Sequence, residues 1–75
     1  MYSTREVMRL NKYRLISNMK NKGHTYASLA EVVGISQNGF TRKINGYNDF
    51  TLPEIRIIAD ELGMDKDEMY EVFFS

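Results

Sequence analysis

The chain contains no cysteine, so neither a disulfide framework nor a thiolate metal site can support it. Its single histidine, His24, cannot assemble a metal cluster alone and reads as a surface residue. No apolar run approaches the roughly 18 residues of a membrane span. The N-terminal residues also lack the continuous apolar stretch of a signal peptide. These absences point to a cytoplasmic protein with no membrane partner. Alternating apolar and polar residues, the mark of strands, are nearly missing, and no repeat or low-complexity segment interrupts the chain. There is no Gly-rich phosphate loop. Glu31, Asp60 and Glu61 have no nucleophile to serve, so no catalytic residue, cofactor, metal or small-molecule ligand is expected. Net charge is zero, which by itself argues against a polyanionic partner.

The distribution of that charge says something different. Residues 1–50 hold eight basic and three acidic side chains, a net of +5, and residues 51–75 hold two basic and seven acidic, a net of −5. The sequence is 43% hydrophobic, enough for a packed core. A chain of 75 residues reads as one domain, 1–75, and buries only about 60% of its unfolded surface. Capping signals divide it into about five helices, so the expected fold is all-α, a compact five-helix bundle. Ser3 and Glu6 have capping-box spacing, and Val7, Leu15, Ile16 and Met19 recur at helical intervals. They predict a long first helix ending at Gly23. A start near Asn11, with residues 1–10 as an arm, is the alternative. Thr51 with Glu54 and Asp65 with Glu68 are two further capping boxes. Pro53 sits in a first helical turn, where its missing N–H does no harm. Ile55, Ile58, Ala59 and Leu62 form a core-facing stripe.

The informative stretch is 25–46, TYASLAEVVGISQNGFTRKING. It reads as two short amphipathic helices: the first from Thr25 to Val33, the second opened by Ser36 and closed at Asn45-Gly46. Gly34-Ile35 makes the corner between them. Thr25 has Ser28 rather than glutamate three residues on, so its cap reads as half a box. Asn38-Gly39 elsewhere signals a hairpin. Here the neighbours do not alternate, and Phe40 and Ile44 sit four apart on one helical face. Gly39 costs about 1 kcal/mol against alanine in a helix, and its missing side chain suggests a close approach by the first helix or by a ligand backbone. Gln37, Asn38, Thr41 and Arg42 lie on the outer side of the second helix. Amides suit adenine edges and arginine suits guanine, so these four are the candidate base-reading residues.

Residues 25–46 resemble the helix-turn-helix of the lambda-repressor-like family of phage repressors, Cro proteins and bacterial regulators. Thr25, Leu29, Ala30, Gly34, Ser36, Asn45 and Gly46 carry the likeness, and the segment 51–74 is similar to that family's closing helices. The resemblance implies a lambda-repressor-like DNA-binding domain that binds double-stranded DNA as a small transcriptional regulator, a repressor of phage or mobile-element type. It implies phosphate contacts at Ser36, Asn45, Tyr47 and Asn48. Tyr26 stands where the family commonly has a phosphate-clasping glutamine, and its hydroxyl can donate in the same way. Lys43 stands at a usually apolar position, which leaves it for phosphate if Ile44 takes over the packing. Asp49 and the few basic residues after Gly46 depart from the pattern. A rival reading keeps the scaffold as a protein-interaction module, antirepressor or antitoxin-like, that does not itself read DNA.

At the C-terminus Tyr70, Val72, Phe73 and Phe74 cannot all face one small core, because neighbouring helical positions point about 100° apart. Two readings stand: these residues fold back over the core, or Tyr70, Phe73 and Phe74 form a homodimer contact. Met19, Met64 and Met69 fit core-edge positions.

Overall fold

A computed structural model describes residues 9–75. Five helices follow one another: Lys12–Asn21 (α1), Tyr26–Val33 (α2), Gln37–Ile44 (α3), Leu52–Leu62 (α4) and Lys66–Phe73 (α5). The described chain is all-α, and its one β-type pairing is a single parallel bridge between Arg9 and Phe74. No described helix is long and apolar enough to cross a membrane.

Each helix starts where a short polar side chain can accept a backbone N–H that the helix leaves unsatisfied. Asn11, Thr25, Ser36, Thr51 and Asp65 accept from the N–H three residues on, at 3.1, 3.0, 2.9, 3.3 and 2.8 Å. Two details differ from the sequence reading. The Ser28 hydroxyl accepts from the Thr25 N–H at 2.9 Å, so the Thr25 box is complete without glutamate. Asp65, by contrast, makes half a box, because the Glu68 carboxylate turns away to Arg14 and Asn18.

The long first helix is also corrected. Asn11 caps α1, and residues 9–11 pair with the C-terminal residues 72–75. The Arg9 N–H donates to Phe73 O, the Asn11 N–H to Val72 O and the Ser75 N–H to Arg9 O, at 3.0, 2.6 and 3.1 Å. Backbone pairing with residues 72–75 is therefore stronger here than local helical preference. The Ser3 to Glu6 box and Val7 lie outside the described residues.

α2 packs against α3 and α4, while α1 packs against α5. Leu15, Leu29, Phe40, Ile58, Val72 and Phe73 are wholly shielded from solvent at the centre. Each such side chain contributes about 1.5–3 kcal/mol by leaving water. Aromatic rings run through this core in a chain. Tyr26 meets Phe40, Phe40 meets Phe50, and Phe50 meets Phe73, at centroid distances of 5.5, 5.7 and 5.6 Å in tilted or edge-on geometry. Such pairs add about 0.5–1.5 kcal/mol beyond burial. Phe73 is thus the far end of the core and unavailable to a partner, which corrects its expected place in a dimer contact. Phe74 is half-buried, stacks on Tyr70 at 5.5 Å and lies beside the chain's own Arg9.

Three polar side-chain bridges fasten the elements together. Arg14 on α1 grips Glu68 on α5 with two N–H groups, at 2.9 and 3.0 Å. Lys43 on α3 bonds Glu54 on α4 at 2.8 Å. His24, read from sequence as a surface residue, is instead half-buried and bridges two elements. Its Nδ1 meets the Ser28 hydroxyl at 2.9 Å and its Nε2 meets Glu61 on α4 at 2.8 Å.

Candidate nucleic-acid interface

The corner between α2 and α3 is three residues long. Gly34 closes α2 in the left-handed region, φ 91°, which a side chain would strain. Its N–H and that of Ile35 both donate to Ala30 O, at 2.8 and 3.0 Å. Ile35 then turns inward to pack on the core, and Ser36 opens α3. Ala30 is buried, and its single methyl group adds little bulk at the corner.

On α3, Phe40 and Ile44 are buried and fix which face points in. At 100° per residue, Gln37, Thr41, Asn38 and Arg42 then fan over about 140°, from beside the buried stripe round to the opposite side. Gln37, Asn38 and Arg42 are exposed. Among the described residues, the Gln37 and Asn38 side chains make no hydrogen bond, so their amides keep full donor and acceptor capacity. Thr41 is different: it is half-buried and its hydroxyl donates back to Gln37 O at 2.9 Å. The Arg42 guanidinium lies 5.3 Å from the Tyr47 ring centroid, and its Nε donates to Asn48 Oδ1 at 3.1 Å. Arg42, Tyr47 and Asn48 are therefore one preordered unit, with the outer guanidinium nitrogens left over.

Gly39 occupies the third position of α3. A Cβ there would stand 3.1 Å from the Ser36 hydroxyl and would meet no other heavy atom within 4 Å. The expected close approach of the first helix is not what this glycine accommodates; its crowding comes from the helix's own cap.

The residues expected at phosphates separate into two groups. Ser36, Asn45, Tyr47 and Asn48 are exposed and lie at the two ends of α3, with Tyr26 half-buried at the start of α2 beside Phe40. Lys43 does not belong with them. Its ammonium bonds Glu54 Oε1 at 2.8 Å and Asp49 O at 3.2 Å, and it lies 5.9 Å from the Phe50 ring centroid. Burial pushes the Glu54 carboxyl upward, but hydrogen bonds from Lys43 and Thr51 outweigh it and hold Glu54 below its ordinary value. Lys43 is an internal strut between α3 and the start of α4, which corrects the expectation that it is available to a ligand.

Lys12 is placed differently. At the first position of α1 it donates to Asn45 Oδ1 at 2.8 Å, joining the start of α1 to the end of α3. The Asn45 amide N–H groups and the remaining ammonium protons make no other hydrogen bond among the described residues. Lys12 and Asn45 stand on the rim of a cleft of about 310 Å³ whose other walls include Leu10, Gly46, Asn48 and Asp49. No local pattern marks Lys12, because its partner Asn45 lies 33 positions away in the chain.

The charge division of the sequence is softened by folding. Arg14 is neutralised by Glu68 and Glu71 and Lys43 by Glu54, so the acidic half of the chain reaches across to two of the seven described cations in the basic half. Hydrogen bonds first, and charge second, raise Arg14 and lower Glu68 from their ordinary values. The described residues hold no group of three or more His, Cys, Asp or Glu side chains able to bind a metal. No family model, curated protein or solved structure matches this chain.

Proposed function

We propose that this chain binds double-stranded DNA in a sequence-specific way through α3, with α2 and α3 acting as a helix-turn-helix of lambda-repressor-like kind. The carrying observation is the outer face of α3: exposed amides at Gln37 and Asn38 with no partner among the described residues, beside an Arg42 held in place by Tyr47 and Asn48. The major groove admits an α-helix and shows each base pair as a distinct donor and acceptor pattern. Gln37 and Asn38 read adenine edges, and the outer nitrogens of Arg42 read guanine. Thr41 contributes its methyl group, since its hydroxyl serves the helix. Tyr26, Ser36, Asn45, Tyr47 and Asn48 hold phosphates, with Lys12 added and Lys43 removed from that set. Regulation then follows from occupancy of an operator, as in a small repressor of phage or mobile-element type.

The neutralised Arg14 and Lys43 favour a second reading, a protein-interaction module on the same scaffold. Selection from random duplex DNA separates the two. Enrichment of a defined site is expected, and absence of enrichment would overturn the DNA reading. At the selected site, Gln37→Ala or Arg42→Ala should cost about 1–3 kcal/mol and relax preference at one base pair. Lys12→Ala should weaken all sequences alike and lower the salt slope by about one.

A further inference from the structure

Beyond the Asn45 cap of α3, Gly46 reverses the chain at φ 90°. The Gly46 N–H donates to Lys43 O at 3.1 Å and the Tyr47 N–H to Arg42 O at 2.9 Å, so the loop backbone is tied to the turn that carries Arg42. This fold-back brings Tyr47 and Asn48 alongside Arg42. The guanidinium lies 5.3 Å from the Tyr47 ring centroid, and its Nε donates to Asn48 Oδ1 at 3.1 Å. All three residues are exposed, so neither contact serves the core. What the contacts do is restrict an arginine that solvent would otherwise leave free to rotate. A guanidinium has no acceptor, so the Asn48 amide must present its oxygen and keep its own N–H groups for another partner. The bond also occupies the Nε edge of Arg42. The end-on fork of Nη1 and Nη2 is left, with no hydrogen bond among the described residues.

We propose that Asn48 and Tyr47 are positioning residues that make Arg42 specific for guanine, a role beyond their phosphate contacts. The inference rests on the DNA reading and deepens it. Guanine shows two acceptors in the major groove, O6 and N7, and the remaining fork donates to both. Adenine shows N7 beside the N6 donor, so one arm of the fork faces a donor and stays unpaired. An unrestrained arginine escapes that mismatch by swinging to a phosphate. An Arg42 held at Nε escapes only by breaking the Asn48 bond and leaving the Tyr47 ring. Discrimination therefore depends on the two residues behind Arg42 as well as on Arg42 itself. The Asn48 amide N–H groups, donating to a phosphate, tie the register of the DNA backbone to that of the base being read.

The test has a protein arm and a DNA arm. In the free full chain, magnetic relaxation of the side-chain nitrogens should show an ordered Arg42 Nε–H. The Nε–H of Arg56, which is exposed and has no hydrogen bond among the described residues, serves as the mobile reference. Asn48→Ala should release Arg42 to that level. The DNA arm uses the site selected from random duplexes, with guanine or adenine at the base pair that Arg42→Ala identifies. Asn48→Ala should cut the preference for guanine by about fivefold, part of the discrimination of a bidentate pair. Asn48→Asp keeps the acceptor and loses the amide donors, so it should weaken both duplexes alike and retain the preference. Tyr47→Phe should retain it too, and Tyr47→Ala should lower it. In an Arg42→Ala background, Asn48→Ala should leave the ratio unchanged. Equal losses from Asn48→Ala on both duplexes, or an Arg42 Nε–H as mobile as that of Arg56, would overturn the proposal while the DNA reading stands. Failure to select any site would overturn both.

Discussion

Gly39→Ala should stabilise the protein, although the substitution adds an atom where the structure is crowded. The favourable side is helix propensity. Alanine exceeds glycine by about 1 kcal/mol in a helix interior, and about half of that is expected at the third residue of α3. The unfavourable side is the new Cβ, placed 3.1 Å from the Ser36 hydroxyl. Moving the two apart requires a shift of a few tenths of an ångström. The chain shows that such a shift is easy: Ser28, Glu54 and Glu68 all carry a Cβ at the same helical position. Their N–H groups still reach the cap oxygen at 3.0, 3.3 and 2.8 Å. The balance is a gain of about 0.5 kcal/mol, or roughly 2–4 °C in melting temperature for a domain this small. Urea denaturation followed by circular dichroism measures it. A loss near 1 kcal/mol, the size of a missing N-cap, would refute the reasoning by showing that the Ser36 bond had broken. A gain in stability with a fall in DNA affinity would place a phosphate backbone against Gly39.

Two other perturbations address the contacts between helices. Glu54 and Glu68 both have folded pKa values below the ordinary 4.5. Their contribution is therefore complete above that value and lost as the pH falls through their lowered ones. Glu68→Gln should flatten the fall of unfolding free energy in acid, and a slope equal to wild type would remove the Arg14 pair from the account. His24→Ala deletes both bridging contacts and should destabilise by about 1–2 kcal/mol in the same urea assay. No change there would mean that water replaces the imidazole without loss.

Local chemistry was readable along most of the chain. The starts of α2 through α5 follow from Thr25, Ser36, Thr51 and Asp65, and the inward faces follow from the spacing of Leu29, Phe40, Ile44, Ile55 and Leu62. These signals involve residues three or four apart, which a helix brings together whatever surrounds it. The errors share the opposite property. Lys43 was expected to be available because its partner, Glu54, lies on the next helix. For Phe73 two readings stood open, core or dimer contact, and the choice between them rests on the Phe50 ring that covers it, which comes from a loop. Of the two starts considered for the first helix, the later one, near Asn11, holds, and the early one fails because the competing partner of residues 9–11 lies more than sixty positions away. In the candidate interface, the outer face of α3 was legible from Gln37 to Arg42. The Lys12 and Asn45 pair was not, since it exists only where two distant helices cross.

The pairing of residues 9–11 with 72–75 also sets the order in which the molecule assembles. The α2–α3 corner forms within a span of about a dozen residues, whereas the terminal clip must close a loop of about sixty. That closure costs about 1.5 kcal/mol more chain entropy than a ten-residue loop, before any contact rewards it. The corner and its aromatic neighbours therefore belong to the early part of folding, and the clip to the last. Breaking the Asn11 to Val72 bond would free the start of α1 and, with it, the Lys12 that bonds Asn45 at the end of α3.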